Sequence, residues 1–296
     1  MQIIGAGLAG LLAGNIMQRA KLFEAGPEDQ VNHKAVLRFR SSAVGDAIGI
    51  EFRPVTVHKG IWFDGKFVQP NIQLANLYSQ KVINKIIDRS IWNIEPAQRW
   101  IAPNDLVAQM AERCHGRIEW NTNVQQLQPD TISTIPMPTL AKLLGVQDAP
   151  AFQYAGITVR RWRVQDADAF QTIYFPSTAT NLYRATLTGS LLVAEYVTDN
   201  SDWRPEQADE EMWEAFGLLA GYAAPLDTTQ QRFGKIAPVD EAWRRQFILH
   251  ATLRHRVYSL GRFATWRNLL LDDALRDIAV IKRLITGGAY AAVRAC

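Results

Sequence analysis

Residues 2–26 read QIIGAGLAGLLAGNIMQRAKLFEAG, and the meaning of this stretch decides the fold. Gln2-Ile3-Ile4 is a strand stub that runs straight into Gly5-Ala6-Gly7-Leu8-Ala9-Gly10. Each glycine has a mechanical reason: the first permits a tight turn, the second lets backbone approach a pyrophosphate, and the third lets a helix pack against the strand. The helix N-terminus then offers free amides and the positive end of its dipole to phosphate. Lys21-Leu22-Phe23-Glu24 reads as the second strand, and Glu24 at its end suits a ribose. Only thirteen residues separate Gly10 from Glu24. The helix is therefore about one turn of roughly 3.6 residues shorter than is usual for this arrangement, and losing a whole turn keeps its faces in phase.

A glycine pattern between a strand and a helix points to a dinucleotide, but it does not separate FAD from NAD. The other end of the chain does. Residues 257–285 read VYSLGRFATWRNLLLDDALRDIAVIKRLI: a short strand, Gly261-Arg262, a loop, and a helix with apolar Leu275, Ile278, Ile281 and Ile285. Asp272 is the expected N-cap. This layout brings a second helix N-terminus towards a ligand already held by the first, as a ligand as long as FAD would require.

The Gly-Arg followed by Ala-Thr-Trp and a C-terminal helix resembles the flavin motif of the glutathione-reductase-like superfamily, in the branch of amine oxidases, protoporphyrinogen oxidase and UDP-galactopyranose mutase. Two more stretches are similar to that family. GRIEWNTNVQQL (116–127) resembles the strand whose valine, here Val124, meets the adenine; DTISTIPMPTLAKLLG (130–145), with the turn Thr134-Ile135-Pro136, resembles the return into the cofactor domain. The resemblance implies FAD as cofactor, held by Gly5, Gly7, Leu8, Ala9, Gly10, Glu24, Val124, Thr134, Gly261, Arg262, Trp266 and Asn268. The family's Gly-Gly-Arg after the second strand is absent, and Arg38 and Arg40 in AVLRFRSS stand as its substitutes. Where the mutases carry a tyrosine–leucine–aspartate run, this chain has Asn268-Leu269-Leu270. HKAVLRFRS and NLYSQKV are also similar to small flavoproteins encoded by tailed bacteriophages, some linked to thymine hypermodification.

Composition narrows the classes. Of 296 residues, 48% are apolar and 21% charged, as in an ordinary globular chain with ample length for a core. A net charge of +3 permits anionic substrates but is not the basic stripe of a dedicated nucleic-acid binder. Two cysteines, Cys114 and Cys296, make neither a zinc spacing nor a disulfide framework, so a reducing, cytoplasmic setting is expected. No basic residue precedes the opening apolar run, and glycines interrupt it, unlike a signal peptide. No segment has the run of about 18 apolar residues that would span a bilayer. No metal is expected: the five histidines lack ligand spacing, and His250 and His255, five apart, fall on different helical faces.

The expected fold class is α/β, a Rossmann-type FAD-binding domain with an inserted α+β, sheet-based substrate domain. The cofactor domain would take 1–50, 101–145 and 250–296, and the substrate domain 51–100 and 151–249. In the latter, strands are expected at 157–164, 172–175, 183–188 and 191–197, and a helix in RPEQADEEMWEAFGLLAG, ended by Gly221. Lys59, Lys81, Arg89, Arg161, Arg163 and Arg184 would present cations there, suited to a small polar or anionic substrate. Trp266, Lys59 and Tyr183 are the candidate catalytic side chains, with a flavin supplying the redox chemistry. Three functions follow. One is an FAD-dependent oxidoreductase acting on a C–N bond of an amine or amino-acid-like group, with the phage resemblance extending this to a modified nucleotide or DNA. The others are a non-redox flavoenzyme of the mutase type and a non-catalytic FAD-binding scaffold.

Overall fold

The computed structural model describes residues 1–28, 36–88, 90–198 and 205–287. Arg89 and Cys296 lie outside them. Two sheets organise the chain. The smaller is parallel, built from β1 (Gln2–Ile4), β2 (Lys21–Phe23), β7 (Ile118–Glu119), β8 (Thr131–Ser133) and β14 (Val257–Ser259), in the order β14-β8-β1-β2-β7. Parallel strands need crossovers, and α1 (Leu8–Ile16) supplies the first, between β1 and β2. Ile3, Leu22 and Ile132 are fully buried, and Leu11, Leu12 and Ala13 of α1 pack on them with Ile278 and Ile281 of α8 (Leu271–Thr286). Met110 of α4 (Leu106–Glu112) closes the same core. At Gly14 a Cβ would stand 3.0 Å from both Leu22 and Cys114, so the missing side chain sets how closely α1 sits.

The larger sheet has the strand order β13-β9-β12-β11-β10-β4-β6-β3, with β5 (Lys66–Val68) paired to β4. Its strands are β3 (Arg38–Phe39), β4 (Arg53–Phe63), β6 (Ala97–Ile101), β9 (Tyr154–Val164), β10 (Ala169–Tyr174), β11 (Leu182–Gly189), β12 (Leu191–Val197) and β13 (Ala223–Ile236). Asp64 and Gly65, both at positive φ (51° and 70°), turn β4 into β5. One face carries Phe175, Leu192, Ala194 and Tyr196 against Met212 of α6 (Pro205–Phe216). The other carries Ile61, Val159, Tyr174 and Tyr183 against Leu74, Tyr78 and Val82 of α3 (Ile72–Ile83). Asn71 caps α3, its side chain accepting the Leu74 amide at 2.9 Å.

Between the sheets, α5 (Met137–Leu143) and α7 (Glu241–His255) share an apolar cluster with Trp266 and Ile236. A mixed α/β architecture, one parallel sheet and one larger sheet, is therefore what the sequence folds into. Several local expectations need correction. Only Ile118–Glu119 of 116–127 is strand. α6 ends at Phe216, where Gly217 (φ 62°) provides the left-handed turn in place of Gly221. Asp272 lies inside α8, one position past its first residue, and Leu270 occupies the N-cap position.

Candidate functional site

The glycine stretch forms a cradle at the carboxyl end of β1. Gly5 has φ +95°, and a Cβ there would lie 2.2 Å from Thr134 Oγ1. Thr134 donates both its amide and its hydroxyl to the Ile4 carbonyl, each at 2.9 Å. At Gly10 a Cβ would stand 1.8 Å from the Gly5 carbonyl oxygen. Gly7 differs: nothing lies within 4 Å of where its Cβ would be. Its lack of a side chain serves no internal packing; it leaves space in front of the N-terminus of α1. Gly7 is the N-cap and gives no side-chain cap, so the first amides of α1, at Leu8 and Ala9, have no carbonyl a turn earlier to bond.

The C-terminal motif comes to the same place. Gly261 (φ +88°) abuts the first turn of α1, since a Cβ on it would be 2.6 Å from Ala9 Cβ. The Leu260 amide donates to Ser133 (2.9 Å), the Met137 amide donates to Phe263 (2.9 Å), and the Thr265 hydroxyl donates back to Gly261 (2.8 Å). Arg262 reaches the Gly234 carbonyl at 3.3 Å and covers the Phe263 ring. Two glycine turns from opposite ends of the chain thus line one cradle, as a long dinucleotide requires.

Glu24 stands beside this cradle. Its carboxylate accepts the Ala6 amide at 2.6 Å and the Gly26 amide at 3.0 Å. The segment after β7 runs alongside, with the Thr122 amide on the Glu24 carbonyl (2.8 Å), and half-buried Val124 follows two residues on. A free helix terminus, an open Gly7 and an acid at the end of β2 fit the pyrophosphate and ribose of a dinucleotide.

The arginines take separate posts. Arg40 is tied to the start of α8: its amide donates to Asp272 (3.0 Å) and its guanidinium to Asp273 (2.8 Å). Asp273 also accepts the Leu270 amide at 2.9 Å, so the first turn of α8 is filled by its own acids, and Asn268 is exposed just ahead of it. Arg38 turns into the large sheet and donates to Thr172 Oγ1 (2.6 Å), Leu187 O (2.8 Å) and Gln171 O (3.2 Å). Its Nε is buried without a partner, and no acid pairs with it among the described residues. Burial, then the neighbouring Arg184 and Arg99, draw its pKa down to about 10. Lys59, beside Thr172 in the β4–β10 register, donates to Asn93 O (3.2 Å), and burial followed by Arg99 lowers its pKa. Arg38, Arg99, Lys59 and Arg184 therefore concentrate positive charge on one side of the sheet.

Glu195 answers part of that charge. It pairs with Arg184, accepts the Tyr183 hydroxyl at 2.9 Å and lies 4.0 Å from Lys235. Burial works against the Glu195 carboxylate, yet Arg184 and Lys235 hold it down to about 2. Tyr183 is fully buried, and its phenol is pushed well above its usual range by that burial and by Glu195. Trp266, at φ 48°, is also interior: its indole N–H donates to Ala237 O (2.9 Å) and its ring meets Phe152 at 4.9 Å. Arg161 pairs with Asp227 across the β9–β13 register, while Arg163 is exposed. Lys81 lies on the wall of a separate cavity of about 690 Å³, with Asn84, Tyr154 and Asn181. Its ammonium donates to the Phe175, Ser177 and Leu182 carbonyls, and burial draws its pKa down to about 7. Arg38 and Arg99 as parts of one cationic group with Lys59 could not be found by sequence, because β3, β6 and β4 become neighbours only in the assembled sheet.

Among the described residues, no group of three or more His, Cys, Asp and Glu is placed to hold a metal, and no helix is long and apolar enough to cross a membrane. No family model matches the chain, and no curated protein matches it. Solved structures do. A reduced UDP-galactopyranose mutase superposes with a TM-score of 0.68 at 14% identity, covering 97% of this chain and 94% of that one. A fatty acid isomerase from P. acnes gives 0.58 at 11% identity, covering 95% and 97%. Aklavinone-11 hydroxylase, solved with FAD and aklavinone, gives 0.53 at 12% identity, covering 95% of this chain and 62% of that one. At such identities the likeness is one of fold, and the fold is that of FAD-binding flavoenzymes.

Proposed function

We propose that this chain is an FAD-dependent enzyme acting on an anionic substrate. The observation that carries the reading is the meeting of Gly5–Gly10 with Gly261 around the open position at Gly7. Gly7 and the Leu8 and Ala9 amides would take the pyrophosphate; Glu24 would exchange its bond to the Ala6 amide for the ribose hydroxyls. Gly261, Arg262 and Thr134 complete the wall. Bound FAD supplies two-electron redox chemistry. The side chains of this protein orient the substrate: Arg38, Arg99 and Lys59 give a carboxylate or phosphate a binding edge on the large sheet.

For the reaction we favour oxidation of a C–N bond in an amine or amino-acid-like group, either free or carried on a hypermodified thymine in phage DNA. The cationic edge fits the carboxylate or phosphate that each carrier brings. A specific observation supports a second reading, a non-redox reaction on a nucleotide sugar: the same cations suit a diphosphate, and the fold is shared with a UDP-galactopyranose mutase. Purified protein should show visible flavin bands and release FAD on acid treatment; a colourless chain that takes up NAD but not FAD would sink the cofactor assignment. Anaerobic mixing separates the two reactions. Bleaching of the flavin by an amine or amino-acid substrate supports oxidation. Turnover of a nucleotide sugar only after dithionite reduction supports the mutase type.

A further inference from the structure

The outer end of α7 carries two histidines that sequence spacing puts on different helical faces. In the fold their rings meet: His250 Nε2 and His255 Nε2 are 3.3 Å apart, with ring centroids 5.1 Å apart and planes inclined at 62°. His255 is the last helical residue, and Arg256 after it turns left-handed (φ 54°) into β14. His250 is exposed and His255 half-buried, so solvent reaches the gap between them.

We propose that His250 and His255 form a two-imidazole site for a divalent transition metal of the zinc class. Nitrogens bound at about 2.0–2.1 Å to a tetrahedral Zn²⁺ lie about 3.3 Å from one another, the separation these two already have. In the free protein the two nitrogens share a hydrogen bond at this distance; an ion would replace that bond, with both rings protonated at Nδ1 and turned to aim Nε2 at it. Imidazole is a suitable donor for zinc, copper and nickel, whereas calcium and magnesium want oxygen. A metal ligand must be a neutral imidazole. No third His, Cys, Asp or Glu joins the pair among the described residues, so water takes the remaining positions of the ion. Because both ligands sit on the last turns of α7, an ion here staples the helix end from which β14 and then Gly261 start. Only the folded chain holds the two imidazoles at this separation, so the ion binds it more tightly than the unfolded chain and stabilises the fold.

The test uses the full chain without an affinity tag, titrated with Zn²⁺ by calorimetry and with Co²⁺ by visible absorption. One ion per chain is expected, with affinity falling at least about tenfold in either His250→Ala or His255→Ala, because two-point attachment is lost. His115→Ala, elsewhere on the surface, should bind as the parent does. Zn²⁺ should raise the melting temperature of the parent and of His115→Ala but not of the two α7 variants. Absence of binding by the parent overturns the proposal, as does binding that survives His255→Ala or falls equally in His115→Ala.

Discussion

At the scale of single residues, the glycines of the cradle separate packing from ligand space. Gly10→Ala drives a Cβ to 1.8 Å from a backbone carbonyl, so the loop or α1 must shift. We expect it to cost about 4 kcal/mol or more, visible in chemical denaturation. A Cβ at Gly7, as in Gly7→Val, meets no protein atom within 4 Å. The variant should leave the melting temperature of the cofactor-free chain little changed while abolishing FAD retention on a desalting column; retention equal to the parent would refute the pyrophosphate assignment. Glu24→Ala removes the acceptor of the Ala6 and Gly26 amides. It should cost about 1–3 kcal/mol in the cofactor-free chain as well as weaken FAD. The glycine pattern was legible because each glycine answers a local need. The histidine pair was not: residues five apart on an ideal helix point about 140° apart, and only the reach of the side chains at a helix end brings the rings together. The place of Trp266 in the motif says nothing of its direction, and in the fold its indole N–H turns inward to Ala237.

Among elements, β11, β12 and β13 are cross-linked by a buried charge group. Glu195 on β12 sits between Arg184 of β11 and Lys235 of β13. Its folded pKa of about 2 lies below the ordinary 4.5. The stabilisation is thus fully present above about pH 4.5 and is lost as pH falls towards 2. Glu195→Gln should flatten this part of the stability-versus-pH curve. At neutral pH it should cost about 3 kcal/mol, because it removes the buried acid that half-buried Arg184 and Lys235 share. A variant as stable as the parent at pH 7, with an unchanged acid slope, would contradict this. Strands β9 to β12 were legible from alternation and β-branched content. β13 was not: AAPLDTTQQRFGKI is largely polar and contains Pro225, as an edge strand allows and a central one does not. The start of α8 was misplaced by two residues because Asp273 reaches back to the Leu270 amide, which lets the helix begin before the first acid.

Across the whole molecule, the two ends of the chain announced the parallel sheet, since a dinucleotide cradle needs strand, glycine and helix in fixed order. The far end of the large sheet was beyond sequence, because β3 and β4 meet through β6 and that pairing depends on no local signal. The proposed cationic edge arises from this β3–β6–β4 pairing and predicts how substrate binds. Arg99 makes its hydrogen bond to the Gln98 carbonyl at 2.7 Å and Lys59 to Asn93, so neither holds the core together. Arg99→Ala and Lys59→Ala should therefore raise KM for an anionic substrate while leaving kcat and the melting temperature nearly unchanged. Arg38→Met should be harsher on both counts, since Arg38 also ties β3 to Thr172 and Leu187. Oxidation next to nitrogen needs the neutral amine, so with an amine substrate the rate should rise with pH through the amine's own pKa. Salt distinguishes the carrier. A substrate borne on DNA brings many phosphates, and its binding should fall steeply with ionic strength; a free amino acid offers one carboxylate, and its dependence should be shallow. Steady-state kinetics of the parent, Arg99→Ala and Lys59→Ala across a salt series would decide it. A KM that neither variant shifts at low salt would remove the cationic edge from the substrate site.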